Sequence, residues 1–484
     1  MLLSELIPQP AADDVEIMGL ASDSREVRPG YLFAALAGTR ARGADFIPDA
    51  AARGAAAVLA PEGTDPSLAP GVRLVTDPNP RHRLALMAAR FYGAQPAVVA
   101  CVTGTNGKTS VADFTRQIWR ASGRKAAALG TLGTCADGGR TPLRHTTPDP
   151  VTLHRVLAEL AADGVDHVAL EASSHGLAQY RLDGVRVVAA AFTNITRDHM
   201  DYHADGEAYF AAKAGLFERV LAADGTAVLN ADDDRVAPLA ARCRARGQRV
   251  LTFGTGCADL RLLERRDTGA GQALTLAVAD AVHEVALPLP GAFQAVNALA
   301  ALGLALATGV EAEAALGALG ALAGVPGRLQ QVPGHPAGAA IFVDYAHTPD
   351  ALATALESVR PLVPGTLVLV FGCGGERDVG KRGEMGAIAA RLADRIVVTD
   401  DNPRGEEPAA IRRAILDACP GAAEIGDRGE AIRAAIDGLG TGDGLLIAGK
   451  GHEREQVVGG RVIAFDDVET ARCAVAGLAN GRAA

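Results

Sequence analysis

The seven cysteines of this 484-residue chain never fall into a CxxC pair, and their count is odd. That argues against a disulfide framework or a zinc site and fits reduced thiols in a cytoplasm. Long runs of like charge are also missing, although the net charge is −10. Without a basic stripe there is no footprint for general nucleic-acid binding. An acidic surface mildly repels nucleotides, so any phosphate site has to be built locally. The opening MLLSELIPQPAADD has no basic segment and turns acidic at Asp13 and Asp14, so no signal peptide is expected. The longest apolar stretch, Phe293 to Gly309, is broken by Gln294 and Asn297 and is short for a bilayer span. Aromatic residues reach only 4%, with one Trp, and the excess of Ala and Gly points to a GC-rich genome more than to a special fold. These absences leave a soluble, cytoplasmic protein with no membrane or nucleic-acid partner as the expectation.

What is present is ordinary globular usage, with 49% hydrophobic and 21% charged residues. At about 150 residues per domain the length predicts roughly three domains. In the first block, residues 1–93, the short apolar runs YLFAAL (from Tyr31), AAAVLA (from Ala55) and VRLV (from Val72) are separated by Gly and Pro. This pattern predicts a small α/β domain. Pro96 in the linker Gly93-Ala94-Gln95-Pro96 stops the helix that carries Ala85 to Tyr92.

The second block, residues 94–325, opens with AVVACVTG from Ala97, followed by a glycine turn and a helical segment through Trp119. Strand, glycine turn and helix together begin a doubly wound α/β unit. HVALEAS (from His167), VVAAAFTNI (from Val187) and GTAVLN (from Gly225) read as further buried strands, with helical segments such as Thr152 to Ala162 between them. A largely parallel sheet is expected. The turn Gly324-Val325-Pro326-Gly327 marks the next boundary. In residues 326–484 the alternation restarts with AIFVDYA (from Ala340), LVLVFGCGG (from Leu367), RIVVTDD (from Arg395) and GLLIAGKG (from Gly444). The predicted fold is therefore a three-domain α/β protein: a small N-terminal α/β domain, a central P-loop-type domain with a mostly parallel sheet, and a C-terminal Rossmann-like domain. Ligands in such sheets sit at the carboxyl ends of the strands.

Thr103-Gly104-Thr105-Asn106-Gly107-Lys108-Thr109-Ser110 follows the first strand of the second block. Glycines let backbone N–H groups face a phosphate, the next helix adds its dipole, Lys108 neutralises charge and the Thr109 hydroxyl suits Mg²⁺. Val102 stands where the general P-loop has glycine. Glu171, in Glu171-Ala172-Ser173-Ser174-His175-Gly176, ends an apolar strand and offers oxygen to a hard cation. Thr193 to His199 closes the next strand, and His199 joins Lys108, Thr109 and Glu171 as a candidate metal site. Lys213 in isolation reads as a helix-surface lysine. In the third block Arg328, Asp344, His347 and Lys381-Arg382 offer nucleotide contacts, Arg328 as a stabiliser of transferring phosphoryl charge. Asp344 suits a ribose hydroxyl. Arg328 and Asp344 serve equally well as domain-interface charges.

TGTNGKTS resembles the loop of the Mur ligase family, ATP-dependent enzymes that extend the peptide of peptidoglycan precursors, and of the related folylpolyglutamate synthases. The likeness to Mur ligases covers nearly the whole chain. It implies that Gly104 to Ser110, Asn297, Arg328, Asp344 and His347 contact ATP, and that Lys108, His199, Lys213 and Arg328 are catalytic. It also implies that Thr109, Glu171, His199 and a carbamylated Lys213 hold Mg²⁺. Asp23-Ser24-Arg25, with Val27, Pro29-Gly30 and Phe33, looks like an entry for a UDP sugar. Thr146-Thr147-Pro148-Asp149 and Ser173 with Arg181 are similar to contacts with the UDP-muramoyl dipeptide. Asp401-Asn402-Pro403-Arg404 resembles the motif of ligases that add meso-diaminopimelate, with Arg377, Gly449 and Glu453 as further contacts. Diaminopimelate has a distal carboxylate that lysine lacks, and Arg404 can grip it with paired hydrogen bonds.

The expected activity is ATP-driven addition of meso-diaminopimelate to UDP-MurNAc-L-Ala-D-Glu through an acyl phosphate, by a monomer that closes its third domain during turnover. A lysine-adding ligase, a folylpolyglutamate synthase and a nucleotide-responsive binding module are the rivals. Four positions depart from the family pattern: Ala44 in place of a common His, His145 before Thr146, Gln294 in place of Asn, and Gln330 in place of an acid.

Overall fold

Four short apolar segments alternate with helical ones at the N-terminus, and they pair side by side. The computed structural model describes residues 1–7, 14–38, 42–198, 202–268, 271–279, 281–376 and 378–481. His199 and Arg377 lie outside the described residues. The first sheet is all-parallel, in the order Gly19–Ala21, Tyr31–Ala34, Ala57–Pro61, Arg73–Asp77. The helix Pro80–Tyr92 packs on it. Asn79 caps its start by accepting from His82 N, and Gly93, at φ 67°, ends it.

The second sheet has eleven strands. Its parallel heart runs Arg249–Gly254, Leu221–Asn230, Val187–Phe192, Val98–Thr103, His167–Glu171, Ala126–Gly130. Both faces of this heart are covered, which is why its strands read as unbroken apolar runs. Leu260–Thr268 joins one edge in parallel and continues into the antiparallel strands Gly271–Val278 and Ala281–Leu287, while the antiparallel Gly133–Ala136 and Gly139–Thr141 extend the other edge. These edge strands were not expected. Leu260–Thr268 carries Arg and Glu on its exposed positions; within the heart, Ala126–Gly130 was also missed, being built from alanines with little strand preference.

The apolar run at Phe293 is the helix Ala292–Ala307, buried against the sheet and against the helix Lys108–Ala121. Trp119 is wholly buried there, and its indole N–H donates to Thr308 Oγ1 at 2.8 Å. No helix among the described residues is long and apolar enough to cross a membrane.

The third sheet runs Gln330–Val332, Ala340–Asp344, Gly444–Ala448, Leu367–Phe371, Arg395–Val398, Ala423–Glu424, parallel except at its first strand. The carboxyl ends of its parallel strands deliver Asp344, Gly372, Asp401 and Gly449 to one rim. Behind that rim Arg428 and Asp467 form a fully buried two-pronged ion pair, each contact 2.7 Å, and Arg428 also donates to Ala448 O.

Candidate active site

The loop between Val98–Thr103 and Lys108–Ala121 is shaped by glycine. A Cβ on Gly104 would collide with Thr193 Oγ1, and one on Gly107 with Asn297 Oδ1; Gly107 also sits at φ 87°, which L side chains resist. Lys108 starts the helix and folds back over the loop, where Nζ donates to Gly104 O at 2.9 Å and Thr105 O at 2.8 Å. Lys213 reaches the same carbonyl from below: its Nζ donates to Gly104 O at 2.7 Å and stands 4.3 Å from the Tyr209 ring centroid. Lys213 is 1% exposed, not the surface lysine its sequence context alone suggests. Burial lowers both lysines from their ordinary values. Glu171 and Asp198 oppose the shift at Lys108, while at Lys213 the neighbouring Lys108 adds to it and Asp198 opposes it.

Glu171 sits at the end of its strand facing this loop. Its carboxylate accepts from Thr131 N at 2.8 Å, Thr109 Oγ1 at 3.0 Å and Thr131 Oγ1 at 3.1 Å. Thr131 has no signature in the sequence; it lies in the turn after Ala126–Gly130. Arg328, from the third block, donates to Thr109 Oγ1 at 3.0 Å and lies over the Tyr345 ring. The phosphate loop, Glu171 and Arg328 are therefore linked by hydrogen bonds across two sheets. Asn106 adds a second link through Asp350, 3.0 Å away.

Asp344 lines the larger of two cavities, and each of its oxygens also accepts one backbone N–H. Oδ2 accepts from Leu329 N at 2.6 Å and Oδ1 from Ala346 N at 2.8 Å. This clamp holds the residue next to Arg328, whose turn is also tied where Gly327 N donates to Gln330 Oε1. Gln330 thus supplies the acceptor that ties this turn. Burial raises Asp344 to about 6. Below that pH the carboxyl is protonated and accepts poorly, and above it both N–H bonds are served by charge. An acid limb in kcat/KM for ATP near pH 6 is expected. Asp344→Asn should remove that limb and lower kcat by about ten- to a hundredfold. A pH–rate profile of the variant that keeps the limb would assign it elsewhere.

Two adjoining cavities share Asp198, Tyr345 and His347. The larger, about 480 Å³, is lined by the phosphate loop, Thr146, Glu171, Ser173, Lys213, Asn297 and Arg328. The smaller, about 230 Å³, is lined by Asp401, Asn402, Arg404, Gly449 and Glu453, with Lys381. Burial lowers His347, whose Nδ1 is 2.8 Å from Tyr345 O, and Lys381 Nζ donates to His347 O. Asn297 donates to Gln294 Oε1 at 3.2 Å, so Gln294 orients it.

The residues assigned to the UDP precursor divide. Thr146 and Ser173 face the larger cavity. Thr147 is buried and braces the backbone, donating to Glu171 O and accepting from Ser173 N. Arg181 donates to Thr147 O and to Gln179 Oε1, which Arg81 of the first block also approaches. Gln179 was missed, although it lies two residues from Arg181 in the same loop. Ser24 is buried at the end of the first sheet, outside the lining of these cavities.

In the smaller cavity Arg404 adopts φ 55° and is pinned by its backbone: its N–H donates to Val457 O and its carbonyl accepts from Gly459 N. One guanidinium N–H reaches Gly375 O at 2.6 Å. Asn402 donates to Glu453 Oε2 at 2.9 Å. Pro403 sets the turn, with Glu406 N donating to its carbonyl.

Comparison with known proteins agrees with this geometry. The patterns described as Mur ligase family, catalytic domain; Mur ligase middle domain; and Mur ligase, glutamate ligase domain match residues 16–92, 102–305 and 327–451. The chain is 52% identical over 482 residues to the UDP-N-acetylmuramoyl-L-alanyl-D-glutamate–2,6-diaminopimelate ligase of Caulobacter vibrioides, covering 98% of this chain and 99% of that one. A solved ligase of the same name superposes with a TM-score of 0.72 at 33% identity, over 99% of both chains. MurF ligase from Thermotoga maritima in complex with ADP shares the fold, with a TM-score of 0.65 at 19% identity over 96% of this chain and 98% of that one. With a glycine loop, an acidic strand end and an arginine from the third sheet meeting at one point, and with relatives matching end to end, this chain belongs to the Mur ligase family.

Proposed function

We propose that the chain uses ATP to join meso-diaminopimelate to UDP-MurNAc-L-Ala-D-Glu, in the cytoplasm and as a monomer. Residues 1–93 would receive the UDP end, 94–325 the ATP and 326–484 the amino acid. The D-Glu γ-carboxylate attacks the γ-phosphorus of ATP, ADP departs and an acyl phosphate remains. The amine of diaminopimelate attacks its carbonyl carbon, and the tetrahedral intermediate collapses with loss of a proton and release of phosphate. Lys108 and Arg328 flank the larger cavity and offset the charge that develops on the phosphoryl oxygens. Catalysis rests on positioning and electrostatics.

The residues present suit Mg²⁺: the Thr109 hydroxyl and the Glu171 carboxylate, 3.0 Å apart, are hard oxygen donors at the foot of the loop. The ion would draw charge from the phosphate oxygens. Lys213, held below its ordinary value by burial, is suited to react as a free amine with CO₂, forming a carbamate and releasing a proton. Its nitrogen donor would then become an oxygen ligand.

The observation that carries this reading is the Arg328–Thr109–Glu171 relay opening directly onto a second cavity lined by Arg404. Phosphate release from ATP with the UDP dipeptide should require meso-diaminopimelate. Equal or faster turnover with L-lysine would refute the amino-acid assignment, and no turnover with either would refute the ligase reading.

A further inference from the structure

Lys450 is 0% exposed, follows directly on the strand Gly444–Ala448 and Gly449, and takes part in none of the contacts assigned above. Its Nζ donates to Asn402 Oδ1 at 3.1 Å and Glu453 Oε2 at 3.1 Å, and stands 3.7 Å from Asp401 Oδ1. Each of those three side chains lines the smaller cavity, but Lys450 does not. Asn402 closes the arrangement by donating to the same Glu453 Oε2 and accepting from Val457 N at 3.0 Å. Two donors thus fasten one oxygen of Glu453 and leave the carboxylate a single orientation. A buried ammonium between two carboxylates also leaves one net negative charge at the cavity floor. A guanidinium, Arg404, lines the same cavity.

We propose that Lys450 is a positioning residue for the amino-acid substrate. Acting from beneath, it fixes Asn402 and Glu453 and cancels one of two acidic charges. The cavity then takes a zwitterion with its ammonium toward Glu453 and its carboxylate toward Arg404. The inference rests on the ligase reading and names what sets the affinity of its amino-acid subsite. Behind Lys450 the Arg428–Asp467 pair donates to Ala448 O and anchors the strand end that presents it.

The test compares the full-length enzyme with K450M and K450Q, measuring kcat, the three substrate KM values and the melting temperature. Loss of a charged hydrogen-bond donor should raise KM for meso-diaminopimelate on the order of 10- to 100-fold. KM for ATP and for the UDP dipeptide should stay within about twofold, as expected when only one subsite is disturbed. K450R should recover part of the loss, because it restores the charge. A KM for diaminopimelate that moves no more than the other two overturns the proposal and leaves Lys450 a core residue. If K450M fails to fold, K450Q decides by the same criterion. Failure of the ligase reading looks different, since the unaltered enzyme would then show no turnover with diaminopimelate.

Discussion

Replacing Lys213 with alanine is expected to lower kcat on the order of 10³-fold or more while nucleotide binding survives. The reason lies in where the amine sits. Lys213 is buried beneath the phosphate loop on Gly104 O, with Lys108 on the same carbonyl. Two ammonium groups in so small a buried space repel each other, and burial disfavours charge on each. Conversion of the Lys213 amine to a carbamate, as proposed above, would relieve that conflict, because an anion would then face the Lys108 cation and add oxygen to the cavity that Thr109 and Glu171 also line. The reaction gains acidity as it proceeds, so carbamylation is favoured by CO₂ and by higher pH. Turnover should therefore fall when the enzyme is held in CO₂-stripped buffer and return on adding bicarbonate, whereas Lys213→Ala should not respond. Full activity without CO₂, together with an active alanine variant, would show Lys213 to be a packing residue. ATP titration of the variant, followed by equilibrium binding, separates a lost catalytic group from a lost nucleotide site.

The second large effect is expected at Arg404. Its backbone is held on two sides and one guanidinium N–H is fixed on Gly375 O, so the group is already ordered before an amino acid arrives. Preorganisation of this kind raises affinity by removing the cost of ordering a long side chain. Truncating one partner of a buried charged pair costs about 2–4 kcal/mol, which is roughly a 30- to 1000-fold rise in KM for meso-diaminopimelate. Arg404→Ala should lose this affinity without gaining much for lysine, because lysine never had the distal carboxylate. Discrimination between the two amino acids should shrink by nearly the whole factor. Competition between meso-diaminopimelate and L-lysine, read as the ratio of kcat/KM values, measures it. An unchanged ratio would move the selectivity elsewhere in the smaller cavity.

Parallel strands buried on both faces announce themselves as unbroken apolar runs, and the polar residues that end them mark where ligands collect. For that reason Glu171 stood out before any coordinates; Lys108 was marked by its glycine loop and Arg404 by resemblance, while Arg328 read equally well as a domain-interface charge. Residues whose role depends on distant partners were not. Thr131 serves Glu171 only because a neighbouring strand ends beside it, and an alanine-rich strand sends no signal. Asp344 was read as a ligand contact from its place at a strand end; it lines the larger cavity, and nothing in the sequence signals that each of its oxygens also accepts a backbone N–H near Arg328. Lys450 lay in plain view in a glycine-rich turn, and only its burial among Asp401, Asn402 and Glu453 separates it from a solvated lysine. The antiparallel edge from Leu260 to Leu287 was missed because its exposed positions carry charge, and short alternating strands are easily read as loops.

Arg328 and the loop it touches belong to different domains, joined here by Phe293 packed on the third block's core and by the polar contacts Arg328–Thr109, Asn106–Asp350 and the exposed pair Arg197–Glu384 at 2.8 Å. Contacts of this polar, partly exposed kind hold with little free energy, on the order of 1 kcal/mol or less for the exposed ion pair. A centre divided in this way works as a coincidence detector. On the proposed function, ATP on the loop with this junction parted would meet only half of the groups that stabilise phosphoryl transfer, and water would find no assembled site to exploit. Idle hydrolysis of the fuel would, on that same reading, be limited by how readily this junction parts rather than by a door, and the same parting would let the finished product leave.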